Sequence, residues 1–207
     1  MNRHAPPWRW CTAQALRLCR HDRAAQIVEF AVTLPLLVVF VVGIFDFSGA
    51  FTLKQKLTNV ARDAARAAAA DPSTDLKGAV TSVPVSVSDV FQIVDNYLTI
   101  NNLDDCGLKL VGSSGLTWTY AGTTGCPGSG LTVIVNRGYT FPASGTGQPA
   151  SLDCSSRAAG LRTAVIATCV SIQYPYQWRF GRVARLLGSA TSLPTQISAT
   201  AVAMNEN

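Results

Sequence analysis

The stretch FAVTLPLLVVFVVGIF, residues 30–45, decides the architecture because it holds 16 consecutive residues without a charge. At about 1.5 Å per residue, a helix over this run is roughly 24 Å long, slightly shorter than a bilayer core. Continuation through DFSGAFTL, residues 46–53, makes the helix long enough and places Asp46 near an interface or against another protein. The run therefore predicts a single transmembrane helix.

The charge of the chain is concentrated before this run. Residues 1–24 hold five arginines and one aspartate, whereas residues 25–207 hold 12 Lys/Arg and 11 Asp/Glu. Positive charge beside a membrane helix fixes its orientation, so we expect a cytoplasmic N-terminus and an exported C-terminal part. A nucleic-acid-binding surface needs a basic patch on the folded domain, and the sequence shows none there. No nucleic-acid partner is expected.

A cleaved secretory signal also combines a basic start with an apolar run, and it is the first competing interpretation. Two features disfavour it. No A-x-A-like cleavage site follows the run closely, and a carboxylate, Glu29, stands at its start.

Glu29 is the most informative single residue of the N-terminal region. A carboxylate at the edge of a membrane helix either extends to the interface or is retained for a partner. The sequence RAAQIVEF, residues 23–30, places this acid fifth and the aromatic Phe30 sixth if the chain is cut between Ala24 and Ala25. A free amine on Ala25 would then lie one helical turn from Glu29 and could be neutralised by it.

The stretch from Arg23 to about Ala70 resembles the TadE-like pseudopilins of the tight-adherence branch of type IV pili. The resemblance rests on RAAQIVEF, on Leu34-Pro35 inside the apolar run, and on the Gln, Asn, Ala and Arg pattern of residues 55–66. The leader of such proteins ends in glycine, where this sequence has Ala24.

The resemblance implies that a prepilin peptidase removes residues 1–24 and that the partners are other pilins or pseudopilins and an inner-membrane assembly platform with its ATPase. The chain is then expected to be a minor pilin, or an assembly factor, of a tight-adherence (type IVb-like) pilus or related secretion system. We expect it to cross the inner (cytoplasmic) membrane once, with a periplasmic or extracellular head. A Glu29→Ala variant is expected to insert in the membrane but to associate poorly with its partners.

Pro35 removes a backbone donor and is expected to kink or loosen the helix. Such loosening would let the helix stretch in a filament, although a proline without functional effect is an equal alternative. The alternative to a pilin as a whole is an unprocessed, membrane-tethered periplasmic binding domain. It predicts an intact N-terminus and a dispensable Glu29.

Four cysteines follow the apolar run, and an even set in an exported domain is typical of two disulfides. Three pairings are possible. We favour Cys106–Cys126 and Cys154–Cys169, because each closes a local Gly/Ser-rich excursion, with buried free thiols as the alternative.

The head, residues 72–207, is expected to be an α+β domain on the helix of residues 25–71, which follows the leader of residues 1–24. The Ala-rich stripe of residues 53–70 suits close packing, and we favour packing in the head core over packing on a neighbouring subunit.

A second helix is predicted from Ser88 or Asp89, as N-cap, to about Leu98. The predicted strands are Leu108–Val111, Leu131–Asn136, Thr163–Tyr174 and Gln196–Met204, the last two at the centre of an antiparallel sheet. Residues 112–115 and 122–130 are predicted turns, and Tyr176–Leu187 a loop with a short helix.

Catalytic chemistry is not indicated. Both histidines, His4 and His21, lie in the leader, which leaves the rest without a histidine-based nucleophile or zinc site. The adjacent acids Asp104-Asp105 are better explained as a solvated turn than as a catalytic or calcium site. We therefore expect no enzyme activity, cofactor, metal or small-molecule substrate.

Alternating aromatics from Tyr174 to Phe180 are expected to fill the core on one side and to form a contact surface on the other.

Overall fold

A computed structural model describes residues 11–78, 82–142, 153–155, 164–179 and 194–206. Helix α1 runs from Cys11 to Ala70, a length of 60 residues. At the standard rise it is about 90 Å long. It is unbroken at Pro35 and ends before the Asp71-Pro72 sequence that predicted its end. The apolar run and the Ala-rich stripe therefore form one continuous helix, as predicted.

A short 3₁₀ turn, Ser73–Gly78, follows α1, and helix α2 spans Val85–Ile100. The predicted N-cap was wrong, because Ser88 and Asp89 lie inside α2 and Pro84 occupies the N-cap position without a side-chain cap bond. The physical reason is that the carboxylate of Asp75 accepts a hydrogen bond from the Ser86 N–H at 3.1 Å. A side chain from the preceding turn thus replaces the local cap.

Within the described residues, five antiparallel strands form one sheet in the order β1-β2-β3-β4-β5. Their bounds are Lys109–Ser114, Thr117–Gly122, Leu131–Pro142, Ala164–Pro175 and Gln196–Met204. The four predicted strands are present, with Thr163 outside the described residues, but β2 was not predicted. As a result β3 is the central strand and β5 an edge strand, so the prediction that β4 and β5 form the centre was wrong.

The first hairpin also corrects the sequence analysis. Residues 112–114 belong to β1, and the turn is only Gly115-Leu116, since Ser114 pairs directly with Thr117. Gly115 has a φ of 58° there, a conformation that suits glycine in a two-residue hairpin loop. The turn predicted at residues 122–130 does connect β2 to β3.

The core lies between one face of the sheet and the two helices. Small side chains of α1, at Ala61, Ala64 and Ala68, are fully buried and permit close approach of the helix. The larger core side chains are Leu57, Val60, Val90, Val94, Leu98, Trp118, Leu131, Val133, Val135, Val170 and Ile172. The Ala-rich stripe of α1 therefore packs in the core of the head, as we favoured.

Two disulfides brace the sheet. Cys106 is bonded to Cys126, with 5.3 Å between their Cα atoms, and Cys154 to Cys169, with 5.6 Å. These are the two pairings that the sequence favoured. The fold is α+β, with a long N-terminal helix and an antiparallel head, as predicted.

Candidate assembly surface on the projecting helix

The N-terminal half of α1 projects from the head with its apolar side chains exposed. Phe45 is 75% exposed and Ile27 is 69% exposed. Within the described residues α1 is the one helix long and apolar enough to cross a membrane, and its most apolar window buries none of its residues in the head. An apolar surface of this extent requires a bilayer or protein partner.

One side of this projecting half carries a regular seam of large apolar residues. We call this set the outer seam: Phe30, Leu37, Phe40, Ile44, Phe47 and Phe51, each more than half exposed. Their spacing of three, four or seven residues keeps them on one face of a helix. Such a seam fits acyl chains or the matching seam of a second helix.

The predicted processing residues lie on the same projecting half. Ala24 and Ala25 are inside α1, and Glu29 is exposed one turn after Ala25, at an axial rise of about 6 Å. Phe30 is 64% exposed and begins the outer seam. Pro35 lies five residues after Phe30, where it leaves a backbone carbonyl of α1 without its helical donor. The structure thus places Ala25, Glu29, Phe30 and Pro35 on the exposed surface of α1 outside the head, while the cleavage itself stays a prediction.

Asp46 differs from its neighbours on the helix, since it is only 5% exposed. The hydroxyl of Tyr176 donates to its backbone oxygen at 3.0 Å and lies 3.2 Å from its Oδ1. Gly49 leaves room for this contact, because a Cβ there would lie 3.1 Å from the same hydroxyl oxygen. The head therefore contacts α1 at Asp46 and buries this acidic residue.

Two aromatic rings of the head complete this contact. Trp178 packs edge-on against Phe47 with 5.2 Å between ring centroids, and Tyr176 lies 4.9 Å from Trp178. The indole Nε1 of Trp178 donates to the carbonyl of Pro194 at 2.6 Å. We call Phe47, Tyr176 and Trp178 the aromatic collar. Of the alternating aromatics, Tyr174 is buried in the core, whereas Tyr176 and Trp178 contact α1, and the contact surface expected on the other side stays a prediction. Phe180 lies outside the described residues, as does the rest of the predicted loop with a short helix up to Leu187.

At its other end α1 is held by a buried cation. Arg137, on β3, is 1% exposed and donates to the carbonyl oxygens of Ala68 and Asp71 and to the hydroxyl of Thr168. The carboxylate of Asp75 lies 3.9 Å from the guanidinium. A cation at the C-terminal end of a helix is stabilised by the helix dipole and by the carbonyls that lack helical donors.

The environment of this cation perturbs two pKa values. Burial lowers the pKa of Arg137, and the carboxylates of Asp75 and Asp71 oppose that shift. Burial, followed by repulsion from Asp89, raises the pKa of Asp71, although Arg137 acts in the opposite direction. The positive charge of Arg137 therefore offsets the negative charges of Asp71 and Asp75, which lie in the segment between α1 and α2.

The N-terminal segment was compared with known families. Residues 24–66 match the family model of TadE-like protein. This segment is TadE-like. The match confirms the resemblance read from RAAQIVEF and from the pattern after it, and it supports a protein associated with the tight-adherence pilus. No curated protein and no solved structure matches the chain.

The TadE-like segment combines the two environments of α1. Its first part, to Gly49, carries most of the outer seam, and its second part, from Ala50, enters the head core. Asp46 lies close to the boundary between the projecting part and the part in the head core. The family match therefore covers the projecting helix together with its attachment to the head, but it ends before the sheet.

Two contacts that attach α1 to the head were not predicted from the sequence. Arg137 was missed, although it occupies an inward-facing position after Val133 and Val135, which is an unusual place for a cation. The contact of Tyr176 with Asp46 joins residues 130 positions apart, so no local pattern indicates it.

The remaining candidate, Asp104-Asp105, forms turns. The two carboxylates accept backbone hydrogen bonds from Cys106 at 2.8 Å and Gly107 at 3.1 Å. Asp104 also lies near the sulfurs of Cys106 and Cys126, in a group with the spacing of metal ligands. Because these sulfurs are bonded to each other, they offer no thiolate to a metal.

Proposed function

We propose that this chain is a non-enzymatic minor pilin, or assembly factor, of a tight-adherence (type IVb-like) pilus or related secretion system. The observation that carries the proposal is the division of one TadE-like helix into an exposed apolar half and a half buried in an α+β head. The exposed half anchors the chain in the inner membrane and then packs against other pilins. The head stays on the periplasmic or extracellular side.

The outer seam supports helix packing as the mode of assembly. Burying one large apolar side chain is worth about 1.5–3 kcal/mol relative to leaving it in water, and six such residues lie on one face. In lipid this hydrophobic gain is already realised, so association there depends on side-chain packing and hydrogen bonds. A spacing of three and four residues suits a partner helix crossing at about +20°.

Processing by a prepilin peptidase between Ala24 and Ala25 would complete the surface. The new amine of Ala25 and the carboxylate of Glu29 would lie one turn apart on an exposed helix, in the same subunit or across two subunits. An unpaired charge in an apolar filament core is unfavourable, so this pair would fix the axial register of packing. The energy for assembly would come from the ATPase of the assembly platform.

The N-terminus of the membrane-extracted protein tests the processing step. Under the proposal, mass spectrometry of the intact chain and of its N-terminal peptide identifies Ala25 as the first residue. Replacement of Ala24 by glycine, the residue found in the family, should give the same N-terminus at least as completely. An intact N-terminus would instead support the tethered binding domain, and a start beyond residue 45 would support a cleaved secretory signal.

The Glu29 carboxylate is tested in assembly. Glu29→Ala should reach the membrane in normal amounts, because the apolar run is unchanged, but it should recover fewer co-purifying pilins. Gln26→Ala is the matched control, since Gln26 is exposed on the same turn and carries no charge. Equal recovery of partners with both variants would remove the role of Glu29.

A further inference from the structure

The depth of Asp46 in a bilayer follows from its position along α1. Asp46 lies 16 positions after Phe30, where the uncharged run begins. This corresponds to about 24 Å along the axis, whereas the hydrocarbon core is about 30 Å thick. A helix that enters the core near Glu29 therefore carries Asp46 close to the far boundary, still beside apolar surroundings. The exposed residues Phe47 and Phe51 extend the apolar surface past it.

A carboxylate at this depth requires shielding. A charged side chain costs about 2.5–3.5 kcal/mol at the centre of a membrane helix, and less towards the interface. Asp46 is shielded by the head itself, because Tyr176 donates to it and Gly49 lets the tyrosine approach. The head residues that shield Asp46 must therefore lie at the same depth in the bilayer as Asp46.

The collar has the properties of a surface that contacts lipid. Tyrosine and tryptophan are enriched at membrane interfaces, where their rings suit the boundary between headgroups and acyl chains. The polar atoms of the two head residues in the collar are already hydrogen-bonded inside the protein. Tyr176 donates to Asp46, and Trp178 donates to Pro194. They can therefore enter an apolar layer without leaving a donor unpaired. Arg179, the next residue, is exposed and can meet lipid phosphates.

We propose that the aromatic collar is a membrane-contact surface of the head, seated in the outer interfacial layer of the bilayer, where it shields Asp46 from the acyl chains. The bilayer is the partner because the collar is continuous with the apolar face of α1. The inference rests on α1 spanning a membrane and does not require pilus assembly. Its failure would leave the proposed function standing, and a failure of processing or assembly would leave this inference standing.

Trp178 provides the readout in the full chain. The sequence contains four tryptophans, Trp8, Trp10, Trp118 and Trp178, and replacing the first two by phenylalanine leaves one buried and one collar residue. This variant is placed in phosphatidylcholine vesicles with or without lipids brominated in the upper acyl chain. Brominated lipid should reduce the emission, and the reduction should disappear when Trp178→Phe is added, because Trp118 is enclosed in the head core.

Two results would overturn the placement of the collar in the membrane. Quenching of Trp178 by aqueous acrylamide but not by brominated lipid would place the collar in water. Quenching by neither would place it under protein. The shielding of Asp46 is tested by Tyr176→Phe, which should make Trp178 less sensitive to brominated lipid as the helix shifts outward. Tyr97→Phe makes the same chemical change on α2 and should have no effect. Unchanged lipid quenching with Tyr176→Phe would refute the shielding of Asp46.

Discussion

Replacement of Arg137 by methionine should detach the end of α1 from the sheet. The guanidinium bonds the carbonyl oxygens of Ala68 and Asp71 and, at 3.0 Å, the hydroxyl of Thr168. Methionine keeps much of the buried volume but none of these hydrogen bonds. The change therefore tests the electrostatic contribution with little change in packing.

The size of the loss follows from the burial of the network. The side chain of Arg137 is fully buried and that of Asp75 is 15% exposed. Removing one partner of a buried ion pair costs about 3–5 kcal/mol, because the other charge is left uncompensated. Asp75 retains its hydrogen bond from the Ser86 N–H, so we expect a value near 3 kcal/mol. That is a large fraction of the roughly 5–15 kcal/mol that stabilises an ordinary domain.

Urea unfolding of the full chain in detergent micelles, followed by near-ultraviolet circular dichroism, measures this loss. Lys109→Met, on the exposed strand β1, is the control and should change the free energy of unfolding by no more than about 0.5 kcal/mol. Adding Asp75→Asn to Arg137→Met should recover part of the loss, because the carboxylate closest to the lost guanidinium is then also removed. A loss below about 1 kcal/mol for Arg137→Met alone would refute the reasoning.

Two further predictions concern the head and use the same unfolding assay. Gly122→Ala should destabilise it by about 1–3 kcal/mol, because the added Cβ would overlap the carbonyl oxygen of Cys106. Gly112→Ala is the control, since a Cβ there meets nothing within 4 Å; equal effects of the two changes would contradict the steric argument. Replacing Cys154 and Cys169 together by serine opens a disulfide with a sequence separation of 15 and should lower stability by about 3 kcal/mol. An unchanged urea midpoint would show that this bridge does not constrain the unfolded chain.

The features predicted from sequence were those with a local cause. The charge-free run of residues 30–45 required a long apolar helix, and the three- and four-residue spacing of alanines after Leu53 correctly indicated its buried continuation. Strands β3, β4 and β5 were found because each is long and rich in β-branched residues. The disulfide pairing followed from short loops between cysteines.

The missed features depend on contacts between distant residues. Strand β2, TWTYAG, has only six residues between two glycine-containing turns, although Trp118 and Tyr120 alternate inward as in a half-buried strand. The start of α2 was misplaced because its cap comes from Asp75, 11 positions before Ser86. Arg137 reaches the end of α1 across 69 positions. No short window of sequence contains both partners of either contact.

The two faces of α1 explain how one helix can serve both a membrane and a folded head. Asp46, Ala50, Leu53 and Leu57 follow one another at spacings of three and four, so Asp46 is the first residue of the face that enters the head core. The outer seam continues on another side of the helix as far as Phe51, so the two faces overlap by more than one turn. Because no loop separates them, rotation or displacement of the projecting half is transmitted directly to the sheet. Under the proposed function, the packing of the outer seam therefore sets the orientation of the head relative to the membrane or filament.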